Sequence, residues 1–185
     1  MNVYDFDKTI YDGDSSIDFY FFCLKKHPKI IFCAFKQAFG VFLHMIGKAD
    51  TKRMKEYFFS FLSHIKDANE LVERFWQKNS LKIKKWYLDI KEDTDVVISA
   101  SPEFLLRPIC SEMGIAIIAT KMDIQSGKIE GANCKGKEKI NRFFEIYPHG
   151  IVDNFYSDSN SDSPMAELSK RAFIVEHDNV STWVK

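Results

Sequence analysis

The chain has 185 residues, enough to bury one substantial core together with an insertion. Its 26 basic and 26 acidic side chains balance, which leaves no overall field to attract nucleic acid or an anionic membrane. The four cysteines form no Cys-x-x-Cys pair, which argues against a zinc ribbon or a disulfide-rich secreted scaffold. The first residues also lack the pattern of a signal peptide. We therefore expect a cytoplasmic protein without a nucleic-acid partner, in which any anion site is local.

The chain opens with a short apolar run that ends on two carboxylates, in Val3-Tyr4-Asp5-Phe6-Asp7-Lys8-Thr9. Alternation along a strand would place Asp5 and Asp7 on one face, although Asp7 can already belong to the following loop. Two carboxylates this close repel each other unless a cation lies between them, and Mg²⁺ prefers such oxygens while also holding a substrate phosphate. One aspartate could then attack phosphorus while the other transfers a proton. The alternative is an ordinary capped turn, because so short a pattern needs structural context.

The stretch over residues 15–79 has apolar side chains at helical spacing and no alternation of period two. Break signals divide it into four predicted helices, at His27-Pro28, Gly47 to Asp50 and Lys66-Asp67. Asp50 and Asp67 are plausible N-caps of the third and fourth helices. The many phenylalanines of this stretch favour a compact helical-bundle core.

One segment of this stretch, Ile30 to Gly47, is apolar enough to resemble a weak membrane span. Lys36, Gln37 and His44 interrupt it, and a lysine near the centre of a bilayer costs about 3 kcal/mol on insertion scales. The segment therefore predicts a helix packed within the protein and no stable span. Attachment to a membrane surface stays an open hypothesis.

From residue 81 onward, short β-rich runs alternate with helical stretches. We expect helices over 81–90, 102–113, 137–147 and 164–169, strands over 95–99, 115–119, 154–157 and 172–176, and a hairpin joining 121–124 to 128–130. Such alternation indicates a parallel sheet with helices on both faces, and the first strand must join that sheet because it has no other partner. The predicted fold is α/β, a Rossmann-like doubly wound parallel sheet. It comprises a core of residues 1–13 and 81–185, with a four-helix cap inserted at 14–80.

Polar side chains follow the predicted strands at their carboxyl ends, where open α/β sheets bind ligands. Asp5, Ser99 and Asp158 each fall at such an end. The hydroxyl of Ser99 and the backbone N–H groups after it, beginning with Ala100, are placed to hold a phosphate oxygen, although a serine before a helix is also an ordinary N-cap. Asp162 could cap the next helix, whereas Asp158 would point towards the cation.

Three lysines surround a predicted helix start in Asn133-Cys134-Lys135-Gly136-Lys137-Glu138-Lys139-Ile140, where cations are unfavourable for the helix dipole. A lysine beside an aspartate nucleophile would offset the charge of a phosphoryl group in the ground and transition states. At least two of the three are expected to belong to a solvated basic turn.

Together, the Asp-x-Asp-x-Thr run, the strand-ending Ser99, the lysine at a helix start and the pair Asp158 and Asp162 resemble the haloacid dehalogenase superfamily. The four motifs occur in order and the resemblance covers nearly the whole chain. The helical cap after the first motif is similar to that of the phosphoserine-phosphatase-like branch. The sequence departs from the family at the fourth motif, which usually begins with Gly-Asp, since here Ser157 precedes Asp158.

The resemblance implies a Mg²⁺-dependent phosphatase that forms an aspartyl-phosphate on Asp5. Asp7 would act as the general acid and then the base, and its backbone carbonyl would join Asp5 and Asp158 as ligands of Mg²⁺. Asp162 would lie behind those metal ligands or orient the catalytic lysine.

The resemblance also implies that Thr9, Ser99 and Ala100 bind the phosphoryl oxygens. The choice of lysine stays open between two residues. The family pattern Cys-x-Gly-x-x-Lys selects Lys139, which we favour, whereas counting back from the apolar face of the following helix selects Lys137.

The predicted substrate is a small phosphorylated metabolite similar to phosphoserine. A second candidate is a phospholipid-head-group phosphatase or a phosphotransferase at a membrane surface, motivated by the apolar segment Ile30 to Gly47. A receiver-like signalling module also gathers acidic residues, a hydroxyl and a lysine around Mg²⁺, but it carries its phosphoacceptor at a middle strand. The oligomeric state is left open.

Overall fold

A computed structural model of the chain describes residues 1–183. Within them a single sheet contains six strands, β1 (Asn2–Tyr4), β2 (Val96–Pro102), β3 (Ala116–Thr120), β4 (Asn154–Ser157), β5 (Arg171–Glu176) and β6 (Asn179–Thr182). The strands lie in the order β3-β2-β1-β4-β5-β6, and every neighbouring pair is parallel except β5 with β6. This order confirms the predicted α/β fold with a doubly wound parallel sheet.

Eight α-helices accompany the sheet within residues 1–183. They are α1 (Ser15–Lys26), α2 (Ala34–Met45), α3 (Thr51–Phe59), α4 (Ala68–Asn79), α5 (Lys85–Ile90), α6 (Glu103–Glu112), α7 (Lys137–Ile146) and α8 (Ser163–Leu168). Helices α1 to α4 lie between β1 and β2, where the cap is predicted. The bounds of the two domains themselves stay a prediction.

The first strand is short but central, because both neighbours pair with it in parallel. Val3 lies opposite Val96 of β2 and Phe155 of β4, and all three side chains are buried. Strands covered on both faces by helices are rich in apolar residues, as these buried positions show. The chain order reverses between β1 and β4, so a crevice opens at the carboxyl ends of these two strands.

The phenylalanines of the cap form a buried core, as the sequence predicts, but that core does not stop at the cap. Phe19 of α1 and Phe75 of α4 meet edge to face, with ring centroids 5.5 Å apart. Trp76 of α4 then contacts Phe6 and Tyr11, which lie in the segment between β1 and α1. One continuous apolar cluster therefore joins the cap to the sheet.

The segment Ile30 to Gly47 is helical and packs on the protein along one side, whereas most of its apolar side chains are exposed. The predicted packing within the protein is therefore confirmed for that side only. The segment divides into a 3₁₀ helix, Pro28–Cys33, and α2, in which Gly40 is the buried residue. Gly40 lies so close to Tyr57 of α3 that an added Cβ would overlap that side chain. The sequence periodicity shows which face is apolar but not whether anything covers it. None of the helices within residues 1–183 combines the length and apolarity needed to cross a membrane.

The helix predicted over residues 81–90 is interrupted. A 3₁₀ helix, Ser80–Lys82, comes first, and α5 begins only at Lys85. Between them Ile83 forms an antiparallel bridge with Tyr11, which extends the backbone and ends the helical turn.

The last strand of the sheet, β6, was not predicted. Its residues are mostly exposed, and such an edge strand gives little apolar signal in a sequence. The predicted hairpin is reduced to a single bridge between Met122 and Ile129. The N-cap expected at Asp50 is confirmed by a hydrogen bond from Arg53 N at 2.8 Å, whereas the side chain of Asp67 makes no capping bond to α4.

The junction between the cap and the core can be tested with two tryptophans. Trp76 Nε1 donates to Leu105 O of α6 at 2.6 Å, whereas the buried Trp86 Nε1 has no partner within residues 1–183. We expect Trp76→Phe to lower the free energy of unfolding by about 1 kcal/mol more than Trp86→Phe, because only the first change removes a hydrogen bond. Urea denaturation measures both, and equal losses would contradict the role given to this bond.

Candidate active site

A buried lysine between two aspartates lies at the carboxyl end of β1. Lys139 Nζ donates to Asp5 Oδ1 at 2.8 Å and to Asp162 Oδ2 at 2.7 Å. The side chains of Lys139 and Asp162 are almost fully buried, whereas that of Asp5 keeps 13% of its surface exposed. Of the two candidate lysines, the structure brings Lys139 to Asp5 and leaves Lys137 exposed.

The start of α7 delivers this lysine to the site. Gly136 precedes the helix with a φ of +58°, a conformation that glycine adopts most readily. Lys139 lies in the first turn, and Phe143, one turn later on the same face, is fully buried against the sheet. The packing of Phe143 thus directs Lys139 inward.

Opposing effects set the ionisation of this cluster. Burial lowers the pKa of Lys139, but the carboxylates of Asp5 and Asp162 outweigh it and raise that pKa above its ordinary value. Burial raises the pKa of Asp5, and the ammonium of Lys139 opposes that rise. The lysine therefore carries its charge at neutral pH and favours the ionised form of Asp5.

Asp162 is held on the far side of Lys139 by the serine that departs from the family pattern. Ser157 Oγ donates to Asp162 Oδ2 at 2.8 Å and accepts a hydrogen bond from Ser159 N at 3.2 Å. These contacts fit the expectation that Asp162 orients the lysine. Within residues 1–183, Asp158 makes no hydrogen bond to this lysine.

Asp7 lies in the loop after β1, and two serines donate hydrogen bonds to its carboxylate. Ser15 N donates to Asp7 Oδ1 at 2.7 Å and the Ser101 hydroxyl donates to Asp7 Oδ2. Burial raises the pKa of Asp7 to about 6, although these donors oppose the rise. Ser16 Oγ lies 3.2 Å from Ser101 Oγ. Ser101 is not among the predicted site residues, because a serine just before a helix is an ordinary N-cap in the sequence.

Thr9 is not brought into the cavity, contrary to the expectation that it binds a phosphoryl oxygen. Its side chain is fully buried, and its Oγ1 accepts a hydrogen bond from Asp158 N at 3.0 Å. Thr9 therefore joins the loop after β1 to the loop after β4. Its hydroxyl positions Asp158 beside the other carboxylates.

Lys84, which no sequence motif singles out, holds the loop around Asp7. Lys8 has a φ of +59°, which is uncommon for a residue with a Cβ. The buried Lys84 donates to Lys8 O at 2.6 Å and to the His177 carbonyl. Burial lowers the pKa of Lys84. This contact could not be read from the sequence, since residues 8 and 84 lie on either side of the cap.

The predicted residues meet at a cavity of about 400 Å³ between the strand ends and the cap. Its lining includes the three carboxylates of Asp5, Asp7 and Asp158, together with Ser99 and Ala100 of β2. Asp162 and Lys139 also reach it. Apart from Thr9 and Lys137, every predicted site residue therefore borders one space.

The cap contributes a lysine that the sequence reading missed. Lys55 of α3 lines the cavity, and its Nζ donates to Ala100 O at 2.7 Å and to Asn133 Oδ1 at 3.0 Å. Burial lowers the pKa of Lys55 to about 8. Lys55 lies one helical turn before Phe59, which also lines the cavity, but only the packed structure shows that this face of α3 covers the site.

The oxygen donors at the strand ends fit Mg²⁺. Asp5 and Asp158 follow neighbouring strands, and carboxylate and carbonyl oxygens are the donors that this ion prefers. Burial raises the pKa of Asp158, although Lys8 opposes the rise, and a bound cation would relieve that cost. Within residues 1–183, no three side chains of His, Cys, Asp or Glu form a metal site by themselves.

The sequence pattern of the haloacid dehalogenase-like hydrolases matches residues 3–167. The chain belongs to this family. No curated protein sequence matches the chain. The family assignment agrees with the order of motifs and with the doubly wound sheet.

Solved structures share the fold at low sequence identity. A protein of unknown function from Bordetella pertussis Tohama I has a TM-score of 0.76 and 18% identity, covering 93% of this chain and 87% of that one. A phosphoserine phosphohydrolase-like protein from Francisella tularensis SCHU S4 has a TM-score of 0.53 and 14% identity, covering 93% and 86%. A phospho-aspartyl intermediate analogue of phosphoserine phosphatase has a TM-score of 0.53 and 16% identity, covering 92% and 83%.

The buried lysine can be tested through stability. We expect Lys139→Met, measured with a chelator present, to lower the free energy of unfolding by about 3–5 kcal/mol, because two buried carboxylates lose their cation. Lys137→Met, at an exposed position of the same helix, should change it by no more than about 0.5 kcal/mol.

The same variant should respond to pH in a defined direction. Without the ammonium, burial raises the native pKa of Asp5 further above its unfolded value, so the folded state keeps a proton that the unfolded state releases. Stability then falls as pH rises, and Lys139→Met should lose more of it than the native protein between about pH 5 and about pH 8. A parallel pH dependence of the two proteins in urea denaturation would contradict this reading.

Proposed function

We propose that the protein is a Mg²⁺-dependent phosphatase that hydrolyses a small phosphomonoester through an aspartyl-phosphate on Asp5. The observation that carries the proposal is the hydrogen bond of 2.8 Å from the buried Lys139 Nζ to Asp5 Oδ1. Both residues line a cavity that Asp7 also lines. This arrangement offers one ligand a nucleophilic carboxylate, a fixed positive charge and a group that can transfer a proton. Membership of the hydrolase family supports it.

In the first step, a carboxylate oxygen of Asp5 attacks phosphorus while the bond from phosphorus to the substrate oxygen breaks. Lys139 offsets part of the negative charge that gathers on Asp5 and the phosphoryl group. Asp7, in its protonated form, gives its proton to the departing oxygen. The raised pKa of Asp7, about 6 through burial, supports this role because it keeps a fraction of the acid form near neutral pH.

In the second step, a water molecule attacks the phosphorus of the aspartyl-phosphate. Asp7, now ionised, takes a proton from that water, and the bond between phosphorus and Asp5 breaks to release inorganic phosphate. The hydrogen bonds from Ser15 and Ser101 hold the carboxylate of Asp7 in place for both transfers. Asp7 thus serves both halves of the reaction, as the acid in the first and as the base in the second.

The metal and the phosphoryl group would be held by residues of three strand ends. Asp5, Asp158 and the backbone carbonyl of Asp7 would bind Mg²⁺, and Ser99 with the N–H of Ala100 would bind phosphoryl oxygens. When bound, Mg²⁺ supplies positive charge that balances the oxygens of the transferred group.

The size and lining of the cavity favour a small substrate. A volume of about 400 Å³ suits a metabolite, and the ammonium of Lys55 adds positive charge on the side of the cap. We therefore propose a substrate similar to phosphoserine. A phospholipid head group is the second candidate, favoured by one observation, since Val41 of the exposed helix α2 lines the same cavity.

The nucleophile is tested by Asp5→Asn with an aryl phosphate as substrate. Turnover should fall by about a thousandfold or more, because an amide cannot replace the attacking carboxylate. Asp12→Asn, at an exposed position a few residues further along, is the matched control and should keep full activity. Substantial turnover by Asp5→Asn in its native fold would overturn the assignment.

The acid and base roles of Asp7 are tested by Asp7→Asn with the same aryl phosphate. Its leaving group is stable as an anion, so formation of the aspartyl-phosphate needs little help from an acid, whereas its hydrolysis still needs the base. We expect the steady-state rate to fall by about 10²–10⁴-fold, with a burst of phenolate close to one equivalent per protein. If the burst is lost together with the steady-state rate, Asp7 is needed to form the aspartyl-phosphate even with this leaving group. That outcome would contradict the division of its acid and base roles between the two steps.

A further inference from the structure

The cap exposes an unusually large set of apolar side chains along one helix. We define the α2 face by five residues with 52–83% of their surface exposed, namely Phe32, Phe35, Phe39, Phe42 and Met45. They recur every three or four residues, so they share one side of a continuous helical segment. Contiguous exposed apolar surface of this kind marks an interaction site.

The charged side chains of the segment that carries this face all have one sign. Residues 19–49 contain no aspartate or glutamate but hold five lysines, at positions 25, 26, 29, 36 and 48. All five are exposed, and within residues 1–183 none of them forms an ion pair. Because the whole chain balances 26 basic against 26 acidic side chains, this local excess of five is offset by an acidic excess elsewhere. The balanced total thus conceals a basic apolar segment.

We propose that the α2 face docks the protein onto an anionic lipid surface. Exposed aromatic side chains flanked by lysines have the composition of an interfacial amphipathic helix, in which the rings reach the acyl boundary and the ammonium groups meet lipid head groups. A second copy of the chain fits less well. A symmetric dimer would place the same face on both sides, and two sets of five lysines would repel each other.

The position of α2 would bring a docked lipid surface close to the cavity. Val41, on the same helix, is 46% exposed and also lines the cavity that holds Asp5 and Asp7. A lipid surface bound through α2 therefore lies beside the candidate active site. The docking itself does not depend on the proposed chemistry, and it can be measured without a substrate.

The test is vesicle flotation with the whole protein. We expect it to bind vesicles of equal parts phosphatidylglycerol and phosphatidylcholine, to bind phosphatidylcholine vesicles far more weakly, and to release the anionic vesicles as salt is raised. Phe35→Gln combined with Phe42→Gln should weaken binding by about tenfold or more, since two exposed rings lose their insertion into lipid. Leu81→Gln is the matched control, because Leu81 is 95% exposed outside the segment and its loss should leave binding unchanged.

A second pair of variants separates charge from apolar contact. Lys29→Glu combined with Lys36→Glu should weaken binding to anionic vesicles by about tenfold or more, because two attractions become repulsions. The same two changes at the exposed Lys85 and Lys121, outside the segment, should weaken it much less. Thermal unfolding of every variant shows that a loss of binding does not come from a loss of fold.

Three outcomes would overturn the proposal. The native protein fails to float with anionic vesicles, or the Phe35 and Phe42 variant floats as well as the native protein. The third is a concentration-dependent dimer in sedimentation velocity that the same variant abolishes while vesicle binding is absent, which would assign the α2 face to a second copy of the chain.

Discussion

The candidate site depends on one buried ammonium, that of Lys139, held between Asp5 and Asp162. Burying a charge is costly unless partners compensate it, and here each partner is itself fixed by the fold. Asp5 directly follows the central strand β1, and Asp162 is tied by Ser157 at the end of β4. The parallel pairing of these two strands therefore sets the spacing into which the lysine fits. The same charge also opposes the rise that burial causes in the pKa of Asp5.

Much of this arrangement was predictable from the sequence, because parallel strands bring distant motifs to one edge of a sheet. Asp5, Ser99 and Asp158 each follow a buried run and all border the cavity. The buried and hydrogen-bonded partners were not predictable. Thr9 and Ser101 look like other hydroxyl residues near a turn, and their roles come from contacts across 149 and 94 residues of chain.

The cap shows a different limit of sequence reading. Helical periodicity located α1 to α4 correctly, since it reports an apolar face on each helix. It does not report what covers that face, and in α2 one side packs on α3 while the phenylalanines of the other side are exposed. The choice between Lys137 and Lys139 stayed open in the sequence for the same reason, because two residues near one helix start differ only in the direction that packing gives them. The structure brings the favoured Lys139 to Asp5.

The apolar cluster that runs from the cap into the sheet has a consequence for how ligands reach the cavity. Trp76 of α4 packs on Phe6 and Tyr11, in the segment that carries Asp7. Swinging the whole cap away as a rigid body would expose these rings to water, at a cost on the scale of the stability of a domain. Substrate and product therefore pass by movements smaller than a rigid-body opening of the cap. The apolar cluster therefore fixes the cap to the core and opposes its opening as a rigid body.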